Sequence, residues 1–307
     1  MQGVLEGFAT IGTIIALGYL LAHIRILGAD SQLLLSRLAF FVASPALMVT
    51  VLGGTDVTDV LSRSLVASTA GIAVAALLYV AVAALVWRRS LGHTVIGALS
   101  AAYVNAGNLG LPIAAYVLGD AAYIAPVLLV QLLVMQPLAL ALLDSAEDRS
   151  RVSLRGILSR PFRNPLTVGS IIGVLLSVTS TELPRPIEDP LVLIGGMAVP
   201  AMLLAYGVSL KLGPRPGAGA STVEIGYITF LKLVVQPLTA YLVARFVFDL
   251  GDLALLAVTV TAALPTAQNI FIHATRYGQA PILARDAIFV TTLLSVPTLF
   301  VIAAFLA

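Results

Sequence analysis

The sequence predicts an all-α polytopic membrane protein: ten transmembrane helices in two inverted repeats of five, with helices 4 and 9 broken. Three observations predict it. The 307 residues are 59% hydrophobic and only 10% charged, with a mean hydropathy of +1.03, too apolar for a soluble domain of this length. Ten apolar spans fall at roughly 4–22, 37–54, 64–87, 94–118, 122–143, 164–181, 190–210, 224–247, 253–275 and 286–306. Two of them carry helix-breaking residues in their middle, at corresponding places in the two halves of the chain.

Nearly every span holds 18 or more consecutive residues without Asp, Glu, Lys or Arg. That suffices for a helix rising about 1.5 Å per residue to cross a hydrocarbon core of about 30 Å. The exceptions are the first span, with Glu6 near its start, and the eighth, with Lys232 well inside. Such lengths exclude a membrane barrel, whose strands alternate over about ten residues.

The connections give the orientation. Basic residues collect in alternate loops: Arg25; Arg88 and Arg89; Arg149, Arg151, Arg155, Arg160 and Arg163; Lys211 and Arg215; Arg276 and Arg285. These are 12 of the 17 Lys and Arg residues. The opposite connections hold Asp56, Asp59, Asp120, Glu182, Glu188, Asp189, Asp249 and Asp252. The excess of Lys and Arg on cytoplasmic loops then places both termini outside the cytoplasm. The longest charged connection divides the chain into a first five-helix repeat over 1–143, a cytoplasmic loop over 144–163 and a second repeat over 164–307. An odd number of spans per half inserts the second half upside down relative to the first. Ser44-Pro45-Ala46-Leu47-Met48 in span two resembles Val199-Pro200-Ala201-Met202-Leu203 in span seven, and Gln136-Pro137 falls where Val296-Pro297 falls.

Span four contains Asn105-Ala106-Gly107-Asn108-Leu109-Gly110-Leu111-Pro112. Glycine lowers helix stability, and proline removes a backbone donor and clashes one turn back. A break at membrane depth must be covered by protein or must line a water-filled cavity. At a constant offset of 161, Thr261–Gly278 aligns with Ser100–Tyr116 and its surroundings, and it places Pro265, Thr266, Gln268 and Asn269 in a second apolar run. Paired interruptions in two halves point to a transporter site. The expected unwound stretches are 105–112 and 265–269, with Asn108 and Asn269 as paired polar contacts. Half-helix ends there would present free N–H groups that suit a carboxylate. Lys232, a charge inside a span, is a functional candidate, with Gln236 on the same helix face at i+4. The candidate substrate-binding residues are therefore Asn105, Asn108, Pro112, Lys232, Gln236, Pro265, Gln268 and Asn269.

Other chemistry is excluded. His23, His93 and His273 have no ligand spacing for zinc, and with zero cysteines there is no disulfide, thiol catalysis or thiolate metal site. Gly207-Val208-Ser209-Leu210 fails a Gly-x-Ser-Gly setting at its last position, and Val117-Leu118-Gly119-Asp120 lacks the first glycine of an intramembrane aspartyl protease. There is no Walker-type loop. No catalytic residue, metal or cofactor is expected, and a net charge of +2 is no nucleic-acid footprint. The apolar run precedes the first basic residue, Arg25, and so reads as a span, not a signal peptide.

Four stretches resemble the auxin efflux carrier family: Asn105–Pro112 in span four; Asn164-Pro165-Leu166-Thr167-Val168-Gly169 opening span six; Pro200–Leu210 in span seven; and Leu264-Pro265-Thr266-Ala267-Gln268-Asn269 in span nine. The resemblance covers both halves and implies that helices 4 and 9 cross at the substrate site. It also implies a secondary carrier of small organic anions, working by alternating access in a bacterial inner (plasma) membrane. Bile-acid sodium symporters are similar in architecture, so a sodium-coupled organic anion symporter is one alternative; a non-transporting membrane anion sensor is another. The partners expected are the anion and the lipid bilayer, with a homodimer admitted. The short cytoplasmic loop departs from the long hydrophilic loop of many plant exporters.

Overall fold

The computed structural model describes residues 2–54, 57–147, 165–212 and 221–306. Most of the expected cytoplasmic loop over 144–163, including all five of its arginines, lies outside the described residues, as does Arg215. Among those described, the protein is helical apart from one isolated antiparallel bridge.

The helices, numbered in chain order, are α1 (Gln2–His23), α2 (Ala29–Gly53), α3 (Val57–Leu85), α4 (Leu91–Ala102), α5 (Leu111–Val117) and α6 (Ala121–Ala146). Then follow α7 (Pro165–Val178), α8 (Arg185–Leu212), α9 (Thr222–Val247), α10 (Asp252–Ala262), α11 (Asn269–Arg276) and α12 (Pro281–Leu306). Six of them, α2, α3, α6, α8, α9 and α12, are long and apolar enough to cross a membrane. Polar side chains open several: Ser90 Oγ accepts from His93 N at α4, Ser221 Oγ accepts from Glu224 N at α9, and Asp120 Oδ1 accepts from Ala122 N at α6. Gly119 and Gly278 end α5 and α11 with positive φ, where a side chain would be strained.

The helices run past the charge-free spans. α2 begins at Ala29 instead of 37 and α8 at Arg185 instead of 190, because each has an opening turn that bears charge and is solvated. The breaks also fall differently from expectation. Span four is interrupted at 103–105, ahead of Pro112, and span nine at 263–268. Residues 106–110 form a wide π-helical turn, and Pro112 sits in the first turn of α5.

That wide turn belongs to a pattern. π-Helical turns occupy Ala39–Ala43, Ala106–Gly110, Gln131–Met135 and Leu231–Val235. Each is followed, two positions on, by a proline: Pro45, Pro112, Pro137 and Pro237. A proline has no N–H to close its own turn, and its ring pushes away the carbonyl four residues back. The helix widens locally to accommodate it, and such widened turns recur at functional sites. A fifth π turn, Val243–Val247, has no such proline.

The described chain groups into two compact units. The first takes residues 1–62, 107–129 and 161–215; the second takes 63–106, 130–160 and 216–307. Each unit draws helices from both halves of the sequence, and α6 contributes to both.

Within the first unit, small residues let backbones meet. Gly18 of α1 lies against the Leu204 backbone of α8, and Gly207 of α8 lies against the Ile15 carbonyl of α1. Gly169 and Gly173, one turn apart on α7, pack on the Pro45 and Met48 carbonyls of α2. In lipid there is no hydrophobic drive between helices, so close contact of this kind supplies the packing energy. Within the second unit, Gly71 of α3 abuts the Gln236 carbonyl of α9. An apolar cluster of Val95, Ile96, Leu99, Tyr103, Ala139, Leu143, Ile270 and Ala284 there joins α4, α6, α11 and α12.

Candidate functional site

The two interruptions meet inside the second unit. Val104 and Thr266 form the antiparallel bridge; Asn105 N donates to Pro265 O at 2.8 Å, and Ala267 N donates to Tyr103 O at 3.2 Å. Two half-unwound segments thus pair with each other as short extended strands, which answers the question of where the broken helices put their backbone groups.

Side chains complete the accounting. Gln131 of α6 accepts from Val104 N at 2.6 Å and donates to Val104 O at 3.1 Å, so one buried amide satisfies both groups of one residue. Thr291 Oγ of α12 accepts from Thr266 N at 3.1 Å, while Thr266 Oγ donates to Ser100 O at 2.6 Å. Gln236 of α9 donates to Ala102 O at 3.2 Å, at the last residue of α4. Each break is thus held by a polar side chain from the next long helix in the chain, Gln131 for the first and Thr291 for the second.

Lys232 lies on the π turn of α9 and is 0% exposed. Its ammonium donates to Gln236 Oε1 at 3.0 Å. Gln236, also 0% exposed, therefore links Lys232 to the carbonyl at the first break. The i+4 spacing on one face is realised as a direct contact.

The remaining candidates divide. Asn105, Pro265 and Asn269 stand at the paired segments of the second unit. Asn105 and Pro265 are buried and joined through their backbones. The Asn269 side chain lies beside the Tyr103 hydroxyl, which donates to Gln136 Oε1 at 3.3 Å, yet Asn269 Oδ1 is buried without a partner of hydrogen-bonding geometry. Gln268 is half-buried, and its carbonyl accepts from Phe271 N at 3.1 Å in the first turn of α11. Pro112 is buried in α5, in the first unit. The side chain of Asn108 lies outside the described set, and with it the expected Asn108–Asn269 pairing. The N–H groups of 103–106 are engaged within the fold: Tyr103 N donates to Leu99 O, Val104 N to Gln131, Asn105 N to Pro265 O and Ala106 N to Val104 O.

Sequence reasoning missed Gln131, Thr291 and Ser100 as site residues. Gln131 had a signal, since with Gln136 it is one of two amides in the uncharged run 122–143. Thr291 and Ser100 had none, because a hydroxyl in an apolar helix usually bonds its own backbone. Also missed was a charged cluster at the start of α9. Glu224, 2% exposed, accepts from Tyr79 at 2.6 Å, from Arg89 at 2.6 Å and from His93 Nε2 at 2.7 Å. It ties the start of α9 to α3 and α4. Among the described residues no group of three metal-ligating side chains occurs.

Comparison with known proteins bears on this geometry. The profile of a family described as "Membrane transport protein" matches residues 4–303. A Rhizobium meliloti (strain 1021) protein named "Putative malonate transporter" is 28% identical over 293 residues, covering 93% of this chain and 90% of that one. An "Uncharacterized transporter" of Methanothermobacter thermautotrophicus is 25% identical over 310 residues, covering 97% of each. The family and both relatives are transporters, not enzymes. With a match that spans nearly its whole length, the chain belongs to this membrane transport protein family, the auxin efflux carriers its four motifs resemble.

Proposed function

We propose that the protein is a secondary carrier of small organic anions that works by alternating access in a bacterial inner membrane. Its substrate binds where the segments around 103–105 and 263–268 cross. The observation that carries this reading is the pairing of two interrupted helices through Val104 and Thr266, with a buried lysine one amide away. Irregular backbone at membrane depth is tolerated only where protein covers it or where it lines a cavity, and discontinuous helices are where such carriers hold substrate. The relative named for malonate, a small dicarboxylate, fits the class.

The two inverted five-helix repeats are part of the same proposal. Leu91 and Asp252 begin the elements before the two breaks, 161 positions apart; Ala121 and Pro281 begin the long helices after them, 160 apart. Asn105, Pro265, Gln268 and Asn269 shape the crossing, Lys232 supplies the charge and Gln236 holds it. The test is uptake by proteoliposomes of a carboxylate panel that includes malonate, with proton and sodium gradients imposed separately. Saturable uptake of at least one carboxylate is expected, weakened about tenfold or more, ~1.4 kcal/mol, by Lys232→Gln at equal protein abundance. Failure to bind or move any carboxylate would remove the reading.

A further inference from the structure

Three charged side chains are buried among the described residues: Glu224, Lys232 and Asp286, which are 2%, 0% and 1% exposed. Two of them are matched. Glu224 holds Arg89 at 2.6 Å and His93 at 2.7 Å, and Asp286 holds Arg285 at 2.7 Å. Lys232 has only a neutral amide, Gln236 at 3.0 Å, and no carboxylate within ion-pair distance among the described residues. All of these groups lie in the second unit.

The two halves differ at the unmatched lysine. At the offset of 161 that relates the broken segments, Lys232 and Gln236 fall on Gly71 and Ala75. Gly71 leaves room for α9, since a side chain there would meet the Gln236 carbonyl. One half supplies an ammonium and an amide; the other supplies space. The N–H groups at 103–106 are satisfied without the charge, by Leu99, Gln131, Pro265 and Val104, and Lys232 touches the break only through Gln236, which donates to the Ala102 carbonyl.

We infer that this site holds one negative charge and no more: it takes monocarboxylates and the singly ionised form of dicarboxylates, and it rejects a second ionised carboxylate. The inference rests on the carrier reading above and specifies its substrate. An ammonium buried without a counter-ion is costly, and one carboxylate neutralises it. A second carboxylate would bring a new uncompensated charge into the same low-dielectric space, where repulsion and lost hydration both act against it. At 103–106 the N–H groups that could have spread that charge are already used within the fold.

The experiment is calorimetric binding to the purified full-length protein near neutral pH, where both carboxyl groups of each diacid are already ionised. Malonate and succinate are compared with their monoamides, malonamate and succinamate, and with the uncharged diamides. The monoamides are expected to bind about tenfold more tightly than the dianions and than the diamides. Lowering the pH should bring the diacids toward their monoamides. Lys232→Gln should erase the advantage of monoamide over diamide. A dianion that binds as tightly as its monoamide overturns the charge count and leaves the carrier reading standing. Absence of binding by every carboxylate overturns both. The comparison on the unaltered protein decides the matter even if Lys232→Gln does not fold.

Discussion

At the residue scale, Gln131 shows how a polar side chain becomes structural in an apolar helix. Its amide carries one acceptor and a donor pair, and Val104 needs one of each, because neither its N–H nor its carbonyl has a helical partner. A buried backbone group left unpaired costs about 1–3 kcal/mol. Gln131→Leu keeps the volume, strands the Val104 N–H and leaves the Val104 carbonyl only the Ala106 N–H, so the thermal midpoint of the detergent-solubilised protein should fall below that of the parent. An unchanged midpoint would mean that Val104 finds other partners and that the amide is dispensable. Lys232 shows the opposite case. Its ammonium reaches the first break only through Gln236, and a charged side chain in a 0% exposed position is a functional candidate.

Glycine works at the scale of elements, by deciding which helices touch. α1 and α8 approach so closely that Gly207 faces the Ile15 carbonyl and the Tyr19 nitrogen. Gly12, on the same α1, faces open space. Gly12→Ala should therefore be neutral or stabilising by up to about 1 kcal/mol, the ordinary helix preference. Gly207→Ala should destabilise by about 1–3 kcal/mol, because a methyl group there overpacks two backbones. Thermal unfolding of the two variants side by side distinguishes them, and equal effects would contradict the contact. The prolines act on elements too. Among the described residues, four of the five π turns precede a proline by two positions, which ties those four widened turns to the local sequence.

For the whole molecule, the distribution of arginine gives an orientation that can be checked directly. The chain has no cysteine, so single cysteines report without background. Arg88 and Glu182 are both exposed, one in a basic connection and one in an acidic connection. In intact cells, a membrane-impermeant maleimide should label Glu182→Cys and leave Arg88→Cys unlabelled until the cells are opened. The reverse pattern would place both termini in the cytoplasm and refute the orientation drawn from the basic loops.

The sequence by itself determined the class of the molecule and the neighbourhood of its two helix breaks. Those follow from quantities local to the chain: apolar length, charge placement, and the prolines, glycines and asparagines that interrupt spans four and nine. It placed Lys232 and Gln236 on one face, because i+4 geometry is a property of a single helix. What it could not supply was which groups pair across distant positions. It put the first break at 105–112, where the helix formers are weakest, whereas the chain opens at 103–105. The opening lies there because partners exist there: Gln131 for Val104, Pro265 for Asn105, Gln236 for Ala102 and Thr266 for Ser100. In an apolar surrounding a backbone group goes unpaired only at several kcal/mol, so the position of a break is chosen by the tertiary structure that can satisfy it. The composition that permits a break is written locally; the hydrogen bonds that locate it come from residues 25 to 166 positions away.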